Sequence, residues 1–242
     1  MRGRLRAERP VLCLVTDRLR LPDRGGSPID AVVRQVTEAV AAGVTLIQIR
    51  ERDLDAADLL ALAVRCVDVA NGSQSLVVVN DRIDVALAAG AAGVHLRGDS
   101  VAVGRVRAIV PGDFVIGRSI HTAEEAMSVA EAGGVDYMIF GTVFPTAAKP
   151  AGHVWAGVER LRRVASSVDV PVLAIGGLTP ETIAAVAATP AAGFAAVSYF
   201  QPRQGDAAGR SIEHAAQTAR VIFQDTPVRS EAPALEGATA WM

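Results

Sequence analysis

The chain is 242 residues long, half of them apolar and only 4% aromatic, with a formal net charge of −2. That length accommodates one large α/β domain and is too short for two comfortable ones, and the near-neutral balance gives no electrostatic case for nucleic acid or an anionic membrane as a partner. Cys13 and Cys66 stand far apart in apolar stretches, so neither a disulfide framework nor a zinc site is indicated, and both are expected to be buried thiols.

From the N-terminus, Arg2, Arg4, Arg6 and Arg9 resemble the basic region of a secretory leader. The apolar run after them, Val11–Val15, is too short to complete one, and no stretch reaches the length of a membrane span. A soluble, cytoplasmic protein is expected, with residues 1–10 a flexible N-terminal segment. Val11–Val15 reads as a buried strand with Thr16-Asp17-Arg18 at its exit. Residues 29–42 predict a helix with apolar positions 29, 32, 33, 36 and 40, closed by Gly43. Residues 44–50 predict the second strand, in which Gln48 and Arg50 alternate with Ile47 and Ile49 and so point to one side.

A helix is expected at 55–69, the third strand at 75–79 with Asn80-Asp81-Arg82 at its end, a short helix at 83–89, and a brief strand at 93–96 that contains His95. After a helix at 101–110, the run 113–116 has no polar alternation, as in strands buried on both faces. It reads as ending at Gly117, so Ser119 and His121 fall at a strand-to-helix junction, and Thr122 with Glu125 makes a capping box for the helix that follows. The sixth strand is expected at 135–140, a long polar loop at 141–157, a helix at 158–165, and the seventh strand at 170–175, ended by Gly176-Gly177. A helix from Pro180 to residue 188, a last strand at 194–197 and a last helix at 211–223 complete the pattern. The tail at 225–242, with two prolines and small residues, is expected to be disordered.

Eight strand-then-helix units spaced by roughly 25–30 residues are the rhythm of a (β/α)8 TIM barrel, here spanning residues 11–224 as a single domain. A doubly wound sheet usually has fewer units and a Gly-rich turn after its first strand, where this chain has Thr16-Asp17-Arg18. In a barrel the active site lies at the C-terminal ends of the strands. Those ends offer Gln48, Arg50, Asn80, Asp81, Ser119, His121, Thr146, Lys149, Gly176, Gly177 and Ser198. Cations, hydroxyls and open glycine backbone suit a phosphorylated small molecule, and the glycines with Ser198 occupy the usual barrel phosphate site. Simpler readings stand beside these. The glycines suit a tight turn, His95 a satisfied interior position, His153 and His214 the solvent, Arg50 with Glu51 an ion pair, and Asp81 a helix cap.

Six stretches, Gln48-Ile49-Arg50-Glu51, Asn80-Asp81-Arg82, Gly93-Val94-His95-Leu96, Gly117-Arg118-Ser119-Ile120-His121, Phe144 to Lys149, and Ala174-Ile175-Gly176-Gly177, resemble in order the thiamine phosphate synthase and thiazole tautomerase superfamily. The likeness runs from about residue 14 to residue 198. In the synthase branch it implies that Gln48, Arg50 and Asn80 hold a hydroxymethylpyrimidine diphosphate and that Asp81 binds Mg²⁺. Gly177, Val197 and Ser198 would hold a thiazole phosphate.

Three positions depart from the synthase pattern: Ser100 replaces a second magnesium carboxylate, Arg52 a lysine, and Ala148 a threonine of the diphosphate loop. Each weakens a grip on diphosphate and metal while the thiazole-phosphate end stays intact. The first expectation is therefore a metal-independent thiazole tautomerase without cofactor, in which His121 moves the proton and Arg50 pairs with the substrate carboxylate. Imidazole titrates near neutral pH and suits that role. The alternatives are an active Mg²⁺-dependent thiamine phosphate synthase and a non-catalytic binder of thiazole or thiamine phosphate. The expected partner is the small-molecule thiazole phosphate, and a homo-oligomer is possible.

Overall fold

Eight short runs of mainly apolar residues pair side by side, in chain order and all parallel, and the eighth returns to the first to close a barrel. The computed structural model describes residues 3–22, 25–146, 152, 154–201 and 211–229. The order is α1 (Arg4–Ala7), β1 (Val11–Val15), α2 (Pro28–Ala41), β2 (Leu46–Ile49), α3 (Ala56–Ala70), β3 (Leu76–Asn80), α4 (Ile83–Ala88) and β4 (Gly93–Leu96). It continues with α5 (Val103–Arg107), β5 (Val115–Ile120), α6 (Ala123–Ala132), β6 (Tyr137–Gly141), α7 (Gly157–Ser166), β7 (Val172–Ile175), α8 (Pro180–Ala187), β8 (Gly193–Ala196) and α9 (Ile212–Asp225). This is the expected (β/α)8 barrel. Among the described residues, no helix is long and apolar enough to cross a membrane.

Alternation along each strand creates two cores. Cys13, Leu46, Val78, Val115, Tyr137 and Leu173 fill the lumen, while their neighbours Leu12, Ile47, Val79, Ile116, Met138 and Ala174 pack outward on the helices. Helix starts are fixed locally. Ser27 and Asp30 form a reciprocal capping box before Pro28, and Thr179 and Thr182 do the same before Pro180. At α6 the expected box is only half made: the Thr122 hydroxyl accepts from the Glu125 amide, but the Glu125 carboxylate takes the amide of His121 instead.

Three places differ from the sequence reading. Residues 3–10 are not a loose extension, because Leu5 of α1 closes the lumen from below at 0% exposure. Arg9 donates to the carbonyls of Ala187, Thr189 and Ala191, and its guanidinium stacks on Phe223. The strand at Val115 does not stop at Gly117 but runs on to Ile120; the glycine faces the ring of Tyr137, which fills the space its side chain would need. Residues 226–229 remain docked, with the Arg229 amide donating to Ala188 and its carbonyl accepting from Arg162. The tail from residue 230, with Trp241, lies outside the described residues.

Truncating the plug tests its packing. Leu5→Ala is expected to lower the unfolding free energy by about 2–4 kcal/mol, as for other buried leucines. A urea transition with an unchanged midpoint would show that α1 does not pack in solution.

Candidate active site

The alternation that fills the lumen also builds the floor of the site. Gln48, Asn80, His95 and Ser119 share the inward parity of β2, β3, β4 and β5 and form its upper layer. Gln48, 2% exposed, donates through Nε2 to Asn80 Oδ1 at 2.9 Å. His95 is buried and held at both nitrogens, Nδ1 3.1 Å from the Tyr137 hydroxyl and Nε2 2.9 Å from Ser119 Oγ. Burial, then the charges of Arg118 and Arg50, push its pKa down to about 3, so the ring is neutral. It is a positioning histidine that orients Ser119.

Two residues further along β2, Arg50 reaches the rim. Its backbone amide is anchored on Thr16 Oγ1 at 3.0 Å. The ion pair with Glu51 suggested by adjacency does not form. Glu51 is buried and instead accepts from the amide and guanidinium of Arg18, which also grips Asp53 at 2.5 and 2.7 Å. Arg50 therefore has no carboxylate partner among the described residues. Burial, reinforced by neighbouring Arg52, pushes its pKa below the ordinary value, a cost that a bound anion would relieve. Arg52 and Arg20 line the same wall.

Asp81 is not a helix cap. Its φ of 60° puts it in the left-handed region, a conformation that the sequence pattern does not announce. One carboxylate oxygen accepts a short hydrogen bond from the Ser100 hydroxyl, and the other lies 3.4 Å from Arg97 Nε. Arg97 also binds Asp99 through two hydrogen bonds of 2.9 and 2.7 Å. Arg97 had no role in the sequence reading, although its place two residues beyond His95 on the inward parity was a usable signal. Arg118 braces this turn from outside by donating to the carbonyls of Gly98, Ser100 and Val101. Magnesium takes octahedral oxygen coordination with one or two carboxylates, and the donor set here fits it poorly. Asp81 is already faced by a guanidinium, and among the described residues no three His, Cys, Asp or Glu side chains converge.

His121, just beyond β5, directs Nδ1 at the carbonyl of Gly141, 2.8 Å away. A carbonyl only accepts, so Nδ1 carries a hydrogen, and in the neutral tautomer the lone pair is on Nε2. Thr146 lines the cavity, whereas Ala147, Ala148, Lys149 and His153 lie outside the described residues. His214 is exposed on α9.

Across the barrel, Gly176, Gly177, Val197 and Ser198 form the opposite end. Gly177 has φ 67°, and a β-carbon there would strike Phe144 and the Pro145 carbonyl, so only glycine fits. Among the described residues, no loop carbonyl takes the Gly177 or Ser198 amide. Phe194 stacks on Phe200 and the Tyr199 hydroxyl donates to Ala215, which fixes the turn that Ser198 begins. The cavity between the two ends measures about 840 Å³.

Known proteins resemble this chain in sequence and in fold. The sequence pattern of a family described as thiamine monophosphate synthase matches residues 12–200. A thiamine-phosphate synthase of Methanoculleus marisnigri is 39% identical over 72% of this chain and 82% of its own length. One of Chlorobium luteolum is 34% identical over 90% and 94%. A solved structure, thiamine phosphate pyrophosphorylase from Pyrococcus furiosus, superposes with a TM-score of 0.74 at 30% identity, covering 93% of this chain and 98% of that one.

The buried histidine has a consequence for stability. Its folded pKa lies below the unfolded value near 6.5, so the unfolded chain binds the extra proton. Stability is therefore complete above about pH 6.5 and falls by roughly 1–2 kcal/mol per pH unit below it, down to the folded pKa near 3. Urea unfolding at pH 7 and pH 5, above the carboxylate range, is expected to show this loss, and His95→Gln to flatten it. Equal slopes for the two proteins would contradict the neutral-ring assignment.

Proposed function

This chain belongs to the thiamine monophosphate synthase family of thiamine-biosynthesis enzymes, and we propose that it is a thiamine-phosphate synthase, joining a hydroxymethylpyrimidine diphosphate to a thiazole phosphate. The observation that carries this reading is the pair of anion-receiving ends on opposite sides of one cavity. Arginines stand at the ends of β1, β2 and β4, and open glycine backbone at the ends of β7 and β8. Two phosphorylated reactants need two such ends. A cavity of about 840 Å³ lies in the upper part of the usual range for small-molecule sites and has room for both.

The amides of Gln48 and Asn80, already paired, present donors and acceptors to the pyrimidine edge. Arg50 and Arg52 hold the diphosphate. Gly177, Val197 and Ser198 hold the thiazole phosphate by backbone donors. The thiazole nitrogen then gives its lone pair to the methylene carbon of the pyrimidine. A C–N bond forms, the C–O bond to the diphosphate breaks, and its electron pair leaves with pyrophosphate while the thiazole becomes cationic. No proton has to leave the attacking nitrogen. Charge grows on the departing group, where guanidinium donors stabilise it more than the ground state.

The proton-shift reading expected first from Ser100, Arg52 and Ala148 has weaker support, because relatives at 34–39% identity carry the synthase name. One observation keeps it as a second reading: Nδ1 of His121 is held by the Gly141 carbonyl while Nε2 has no hydrogen-bond partner among the described residues, which leaves it for a ligand. Nothing specific favours a binder without activity.

Supplied with both substrates, the purified protein is expected to release one pyrophosphate per thiamine phosphate formed. Absence of that product, together with interconversion of thiazole carboxylate isomers that is lost in His121→Ala, would transfer the assignment to the tautomerase. Arg50→Ala should lower kcat/KM for the pyrimidine diphosphate by about 100-fold. Gly177→Ala should act mainly on KM for the thiazole phosphate. Equal losses toward both substrates in each variant would refute the two-ended arrangement.

A further inference from the structure

We propose that the guanidinium of Arg97 takes the place of the divalent cation that the family resemblance implies, so that this chain binds the diphosphate of its substrate without a metal. The inference rests on the synthase reading for the identity of that diphosphate. It starts from the two carboxylate oxygens of Asp81. One accepts from the Ser100 hydroxyl, and the other lies within ion-pair range of the Arg97 guanidinium, 3.4 Å from an Nε whose hydrogen goes to Asp99. The cavity is lined by Arg97, Gly98 and Asp99, whereas Asp81, its side chain 26% exposed, meets Arg97 beside that wall. An ion seeking the Asp81 oxygens would have to displace a positive charge of its own sign.

The turn that carries Arg97 is built to stay in place. Ser100 Oγ accepts from the Arg97 amide at 3.0 Å while donating to Asp81, and the Ser100 amide returns to the Arg97 carbonyl at 3.1 Å. Arg118 ties down three carbonyls of the same turn. A carboxylate at position 100 would meet the negative Asp81 here, whereas serine gives it a hydrogen bond, so Ser100 and Arg97 suit each other as a pair. Arg97 donates Nε and Nη2 to Asp99, with Nε also facing Asp81, and its Nη1 has no partner among the described residues. Asp99 is 73% exposed and can be exchanged for a substrate phosphate. Arg20, Arg50 and Arg52 line the same cavity, so a group with several negative charges meets several fixed positive ones.

The experiment uses the full chain and inorganic pyrophosphate as probe, with binding measured calorimetrically in EDTA and in excess Mg²⁺, and thiamine phosphate formation followed in the same buffers. Pyrophosphate affinity is expected to be no higher in excess Mg²⁺, which complexes the probe in solution, than in EDTA, and Mn²⁺ alone should give no stoichiometric binding by electron paramagnetic resonance. Arg97→Ala should weaken pyrophosphate at least tenfold in EDTA. In the double variant Arg97→Gly with Ser100→Asp, which opens the space and adds a carboxylate, binding should become Mg²⁺-dependent. Pyrophosphate binding by the unaltered chain only with Mg²⁺, or Mn²⁺ binding lost in Asp81→Asn, would overturn the proposal whether or not the variants fold. Thiamine phosphate made only with Mg²⁺ would leave the synthase reading standing and remove this one. Metal-free pyrophosphate binding with no thiamine phosphate formed would do the reverse.

Discussion

Closure of eight parallel strands into a ring constrains everything else in this molecule. Once each strand pairs with two neighbours, every residue along it faces either the lumen or the helix layer, with no third option. The lower lumen is therefore apolar and sealed by Leu5, and the upper lumen is where Gln48, Asn80, His95 and Ser119 meet. Extending the same parity past the strand ends leads to Arg50, Arg97, His121 and Gly177. The site is the core of the barrel continued into solvent with polar residues.

That continuity explains the unusual electrostatics. His95 is neutral because it belongs to the packed lumen, yet it touches Ser119 at the floor of the cavity. The arginines stand one layer higher, where burial is partial and carboxylates are few or already committed: Glu51 to Arg18, Asp17 to Arg20, and Asp81 and Asp99 to Arg97. Of the arginines that line the cavity, Arg50 alone carries a shift caused first by burial. Such a wall holds cationic charge that the free protein leaves partly uncompensated, which favours a multiply charged anion over a neutral ligand. The opposite wall has no side-chain cation among the described residues and relies on backbone donors, which suits a single phosphate.

Local pattern carried most of the fold. The apolar runs at Val11–Val15, Leu46–Ile49 and Leu76–Asn80, the intervening helical periods, and the Thr122 cap all depend on neighbours in the chain. Where the reading failed, distant residues decided. Gly117 lies within a strand because Tyr137 of β6 fills the space beside it, and the N-terminal residues are ordered because Arg9 finds three carbonyls nearly 180 positions away. Neither cause has a local signature.

The sequence by itself determined the order of strands and helices, hence the barrel, and it named Gln48, Asn80, Ser119, His121 and the glycines as strand-end residues, because strand termini and turn chemistry are short-range properties. Only the tertiary structure decided who meets whom: Gln48 with Asn80, His95 with Ser119, Glu51 with Arg18 rather than Arg50, and Arg97 over Asp81. Those pairings depend on ring closure, on strand register and on one left-handed backbone angle at Asp81. They join residues whose separation in the chain says nothing about their distance in space.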